Sequence, residues 1–136
     1  VKLDFFDNMK DQYLKKPEGR GVFLSGVTMG MLASQQGESY GKKLNETPLF
    51  KQINWGKMTY RDLKRLMSRI PELTNAYNAK YSDLINALNA KAGEMIMNGE
   101  AKKLGVDGNF AFTTGFTNYR TFFWQAFKKE NKEDEE

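Results

Sequence analysis

The side chains best supplied for chemistry in this chain are cations. In TYRDLKRLMSRI, residues 59–70, Arg61, Arg65 and Arg69 recur at every fourth position with Lys64 beside them. At about 100° per residue these four share one face of a helix. Tyr60, Leu63, Leu66, Met67 and Ile70 take the opposite arc, which must dock on a core. The basic run begins earlier: residues 42–69 hold eight cations (Lys42, Lys43, Lys51, Lys57, Arg61, Lys64, Arg65, Arg69) against two acids, Glu46 and Asp62. Solvated helix faces normally mix signs to gain pairs at i,i+4. Here the cations crowd one another, and a polyanion would offset their repulsion. The chemistry this pattern suits is the binding of phosphate backbones, with plain solvated surface as the alternative. Trp55 and Tyr60 lie in the same region as either base-stacking groups or core anchors.

Catalysis is poorly supplied. The chain contains no histidine and no cysteine. The commonest general base, the commonest transition-metal ligand, thiolate sites and disulfides are all removed together. No converging pair of lysine, tyrosine or carboxylate groups stands out. The expectation is therefore a protein that is not an enzyme, with no cofactor and no metal. GESYGKKL resembles a phosphate loop only superficially. It has three residues between Gly37 and Gly41 where that loop has four, and Lys43 stands where the magnesium-binding hydroxyl belongs. The NET triplet at Asn45–Thr47 spells a glycosylation sequon, a match that arises readily by chance.

The elements that must position the cations all carry helical spacing. Leu3, Phe6, Met9 and Tyr13 predict a first helix over about residues 2–15, broken by KKPEGRG. A second is predicted over about 20–36, and a short one at TPLFKQIN with Thr47 as N-cap and Pro48 in the first turn. Thr59 followed by Asp62 is a capping signal for the basic helix, which should run to Ile70 because Pro71 follows. A long helix through Leu73, Tyr77, Tyr81, Leu84, Leu88, Ala92 and Met95 should reach about Asn98, with Gly99 as its stop. Asn109 is read as the cap of a last helix bearing Phe112, Phe116, Tyr119, Phe123 and Phe127. The result is an all-α, compact bundle of about five helices over residues 1–127, with a charged, disordered tail at 128–136. That tail holds three lysines against five acids, so of the formal +4 the body carries +6.

The stretch GVFLSGVTMGMLASQQG, residues 21–37, has no charge, yet only eight of its residues are apolar, five are polar and four are glycine. A spanning helix wants about 20 mostly apolar residues. Asp4 and Asp7 precede the run and no small-residue cleavage site follows it, unlike a secretory signal. No membrane partner is expected. Large side chains all round predict a helix buried on several sides, with Phe23, Val27, Met31, Leu63, Leu88, Phe112 and Phe116 in one core. Gly26, Gly30, Ala33 and Ser34 form a small-residue stripe open to a close neighbour, either internal or from another copy.

FLSGVTMGMLASQQ, TPLFKQIN, TYRDLKRLMSRI and FAFTTGFTNY follow one another in an order that resembles the C-terminal region of the Csh-type large subunit of type I-B CRISPR Cascade. That region is similar to the free-standing Cascade small subunit. The resemblance covers about residues 20–127 and rests on order and hydrophobic pattern. The last helix departs from it, being rich in phenylalanine and threonine where aliphatics are usual. Val1 in place of methionine fits an internal start read as valine, and fits an excised domain equally. The resemblance implies a non-enzymatic, RNA- and DNA-binding subunit of a ribonucleoprotein complex for antiviral defence in the prokaryotic cytoplasm. Its implied partners are CRISPR guide RNA and target DNA, the Cascade backbone and large subunits, and further copies of itself at the R-loop. Base pairing reads sequence in such systems, so this subunit needs cations for backbones and no base code. The rival reading is a helical protein–protein adaptor whose basic face meets an acidic partner.

Overall fold

The computed structural model describes residues 1–76, 79–99 and 103–128. Among them every regular element is helical, as expected for an all-α bundle. Seven α-helices follow in order: α1 (Pro17–Tyr40), α2 (Pro48–Gln52), α3 (Tyr60–Ser68), α4 (Ile70–Ala76), α5 (Ser82–Met97), α6 (Gly105–Thr117) and α7 (Tyr119–Ala126). The tail from 129 onward lies outside the described residues, as does Tyr77. No described helix is long and apolar enough to cross a membrane.

The uncharged stretch forms the middle of α1, and every residue from Gly21 to Ala33 is buried. α5, α6 and α7 pack around it. The glycines explain how closely. A Cβ on Gly26 would run into the Phe112 carbonyl, and one on Gly115 into the Phe23 carbonyl. At Gly30 it would lie 2.5 Å from Tyr119 Cβ and 2.7 Å from the Phe116 carbonyl oxygen. The small-residue stripe therefore receives α6 and the start of α7, an internal neighbour. Phe23, Val27, Met31, Leu63, Leu88, Phe112 and Phe116 share the buried core, as the spacing predicts.

Several boundaries differ from expectation. Residues 2–15 form two 3-10 turns, Asp4–Asn8 and Gln12–Lys15, instead of one helix. The Asp11 carboxylate accepts from the Tyr13 amide at 2.9 Å, a local bond that competes with helical pairing. The bends let Phe5 and Phe6 reach Phe122 and Phe23 on different helices. Pro17 begins α1 instead of breaking a helix, since its missing N–H is an orphan at a first helical position. The helix then runs four residues past the expected 36, to Tyr40, where Gly41 caps it at φ 64°. The expected 71–98 helix is two, because Tyr81 adopts φ 60° and starts α5 afresh. The basic helix stops at Ser68, and Ile70–Ala76 forms α4 with Pro71 in its first turn. Asn109 is not a cap: α6 starts at Gly105, and the phenylalanine-rich segment divides at Asn118.

Candidate nucleic-acid interface

Two devices fix α3. At its start Thr59 Oγ1 accepts from the Asp62 amide at 3.1 Å, while Asp62 accepts from the Thr59 amide at 3.0 Å. This reciprocal box satisfies donors that a helix terminus otherwise leaves orphaned. Along its inner side Leu63, Leu66 and Met67 are buried, and Asn89 Nδ2 of α5 donates to the Met67 carbonyl at 3.1 Å. The loop before α3 is held as firmly. Asn109 Oδ1 accepts from the Met58 amide at 2.8 Å, and its Nδ2 donates to the Met58 and Gly105 carbonyls. α3 is thus held at its start, along its inner side and by the loop that leads into it, and its outer face has little freedom to turn inward.

That outer face carries Arg61, Lys64 and Arg65, all exposed. Among the described residues no carboxylate lies within ion-pair distance of any of the three. Asp62, the nearest acid in sequence, is occupied by the cap. Lys57 is exposed just ahead of the cap, and Lys51 is exposed on α2. Arg69 behaves differently from the expected fourth member: it is half-buried, and its Nη1 donates to Gln52 Oε1 of α2. Arg65 and Arg69 line a hollow of about 130 Å³ with Gln52, Asn54, Asp62 and Leu66. Two aromatic candidates resolve in favour of the core. Trp55 packs against Phe50, Phe112 and Phe116, its Nε1 donating to the Phe50 carbonyl at 3.2 Å. The Tyr60 and Tyr13 hydroxyls are both buried, and neither finds a hydrogen-bond partner by distance and angle among the described residues. Burial chiefly raises both phenols above the ordinary tyrosine value, with Glu18 adding to the rise in each.

Lys42 and Lys43 do not join α3 in that hollow. They line a different one at the end of α1, with Ser34, Glu38, Glu46 and Arg120. Beside it lies a third hollow of about 200 Å³, bounded by Lys80, Tyr81, Tyr119, Arg120 and Trp124. Sequence spacing held no sign of this grouping. Lys80 and Arg120 fall outside the basic run, and only the turn before α5 and the packing of α7 on α1 unite them. The one available signal was Trp124, a large aromatic off the Phe123–Phe127 side of its helix.

No metal-ligating cluster of carboxylates occurs among the described residues. What the surface offers is a row of cations with no ion-pair partner among the described residues, a second corner where Lys42, Lys43 and Arg120 meet Glu38 and Glu46, and exposed aromatics between elements. No curated protein and no solved structure matches the chain. The family described as the CRISPR-associated protein TM1802 (cas_TM1802) C-terminal domain matches residues 2–130. With nearly its whole length matched, the chain belongs to this CRISPR-associated C-terminal domain family.

Proposed function

We propose that the chain works as a non-enzymatic small subunit of a type I-B CRISPR surveillance complex, Cascade. In this reading several copies pack along the complex belly beside the backbone and large subunits in the prokaryotic cytoplasm. Their basic faces hold the guide RNA–target DNA duplex and the displaced strand of the R-loop. Family membership supports a CRISPR role. The observation that carries the rest is the α3 face, where Arg61, Lys64 and Arg65 project, with no ion-pair partner among the described residues, from a helix whose other side is buried. Burying Leu63, Leu66 and Met67 commits that helix, so the repulsion among its cations persists until an anion arrives. A phosphate polymer brings regularly spaced anions, and binding it requires no base code.

Replacing Arg61, Lys64 and Arg65 together by glutamine keeps good helix formers in place. Arg69 stays, because it also holds Gln52. The variant should bind single-stranded DNA and a guide–target duplex more weakly, with little dependence on sequence. Its slope of log affinity against log salt should become shallower by about 0.7–0.9 for each phosphate that the missing cations no longer neutralise. Wild-type affinity and slope in the variant would move the site away from α3. Absence of any nucleic-acid binding by the wild-type chain would favour the adaptor reading, in which the same face meets an acidic protein.

A further inference from the structure

The hollow between the end of α1, the Lys80–Tyr81 turn and α7 is unlike the α3 face, because it offers aromatic rings as well as cations. Tyr81 and Trp124 meet edge to face, ring centroids 4.9 Å apart and planes at 88°. Both nevertheless remain open, 48% and 40% exposed. Tyr81 holds φ 60° and ψ 30°, a left-handed conformation uncommon for a bulky residue. Such a backbone persists only where its surroundings over-determine it, and it is concentrated at ligand sites. Here the determinants are visible. Gln35 Nε2 on α1 donates to the Lys80 carbonyl at 2.7 Å, and the Ile85 amide donates to the Tyr81 carbonyl at 2.9 Å. The floor is rigid as well, since the Tyr119 hydroxyl donates to Ser34 Oγ at 2.9 Å. Lys80 and Arg120 flank the rings and are exposed, with the Arg120 guanidinium 6.0 Å from the Tyr119 ring centroid. Lys42 and Lys43 lie on the other side of Arg120, with Glu38 and Glu46 lining the same hollow.

The size of the space narrows the ligand. About 200 Å³ falls below the roughly 300–1,000 Å³ of pockets that enclose a drug-sized molecule. It suits one flat group carried on a longer chain. Partly exposed rings favour an aromatic group, and the flanking cations favour anions on either side of it. Glu38, an acid on the rim, can accept from an exocyclic amine. An unpaired nucleotide base with its neighbouring phosphates meets all three requirements. A paired base does not, because its faces are already stacked.

We propose that this hollow is a stacking site for one unpaired base of a single-stranded nucleic acid, with the Trp124 ring as the platform, the perpendicular Tyr81 ring walling the edge of the base, and Lys80 and Arg120 on the adjoining phosphates. The proposal rests on the nucleic-acid reading of the domain and adds a strand preference that the α3 face alone does not give. It is tested in the 136-residue chain carrying Trp55→Phe, which leaves Trp124 as the sole tryptophan of the original two. Short single strands of DNA and RNA with identical bases are compared with an abasic strand of the same length and charge. The base-bearing strand should quench Trp124 emission and bind about five- to 150-fold tighter than the abasic one. Running DNA and RNA side by side shows which sugar the site prefers. Tyr81→Asn tolerates the left-handed backbone while removing the ring, and in that variant the preference over the abasic strand should collapse. Equal binding of both strands with unchanged Trp124 emission overturns the stacking site and leaves the α3 reading standing. A preference that survives Tyr81→Asn also overturns it. If neither strand binds, both readings fall together.

Discussion

Asn109 ties α6 to the loop that leads into the basic helix, using both ends of one amide. Its bonds to the amide and carbonyl of Met58 are made where Met58 is buried. Replacing Asn109 by alanine leaves two buried backbone groups without partners, at about 1–3 kcal/mol each. A loss of about 2–6 kcal/mol in urea unfolding is expected, and a loss within experimental error would show that the loop re-pairs elsewhere. Tyr13 makes the opposite case. Its buried hydroxyl has no partner of hydrogen-bond geometry among the described residues, so Tyr13→Phe should leave stability at neutral pH unchanged or slightly improved. Because burial and nearby Tyr60, Glu18 and Asp107 raise its pKa in the fold, the folded state holds that proton more tightly than the unfolded chain. The stability linked to this proton is therefore intact below about pH 10, the unfolded value, and falls as pH rises above it. Tyr13→Phe should flatten that alkaline decline, and an identical pH profile in both proteins would refute the assignment. At this scale the sequence was a fair guide to residue type and a poor one to role. Asparagine ahead of an apolar run reads as a cap by local preference, whereas Asn109 is spent on a partner 51 residues away.

Helices whose ends are signalled locally were legible, and those whose ends are set by packing were not. α3 begins where Thr59 and Asp62 place it, and α2 follows its Thr47–Pro48 signal. The split between α4 and α5 depends on Tyr81 holding a backbone angle that no local preference favours. The close approach of α1 and α6 was legible as a stripe of small residues, but its partner became known only from the packing. Two glycines now make opposite predictions for one substitution. Gly93 lies inside α5 with only Met67 Cε at 3.8 Å from an added Cβ. Gly93→Ala should stabilise the protein by about 0.5–1 kcal/mol through helix propensity and the restricted unfolded chain. At Gly26 the same methyl meets the backbone of α6, which cannot swing aside like a side-chain tip. Gly26→Ala should destabilise by about 1–3 kcal/mol despite its better propensity. Thermal melts of the two variants decide this, and equal shifts of the same sign would mean that α1 and α6 separate at little cost.

The whole molecule places its charge unevenly. An excess of +6 sits between residues 42 and 69, and folding divides it between the α3 side and the Lys42–Lys43 corner, where Arg120 joins. The count was legible in the sequence. Its division was not, because Lys80 and Arg120 are brought beside α1 only by the fold. Such an arrangement couples stability to ligand. A polyanion that binds the folded surface and not the unfolded chain stabilises it by about 2.7 kcal/mol when present at 100 times its Kd. For a domain of this length that corresponds to a rise in Tm of roughly 6–15 °C. The rise should shrink as salt is added, because released counterions supply much of the binding free energy. In the Arg61, Lys64 and Arg65 to glutamine variant, the ligand-free Tm should match or exceed wild type, since mutual repulsion is removed and no ion pair among the described residues is broken. At the same DNA concentration its Tm should rise less than that of the wild type. Scanning both proteins with and without a single-stranded DNA, at low and high salt, separates these effects. A Tm shift of the same size and salt dependence in both would mean that α3 carries none of the binding and that its cations merely face water.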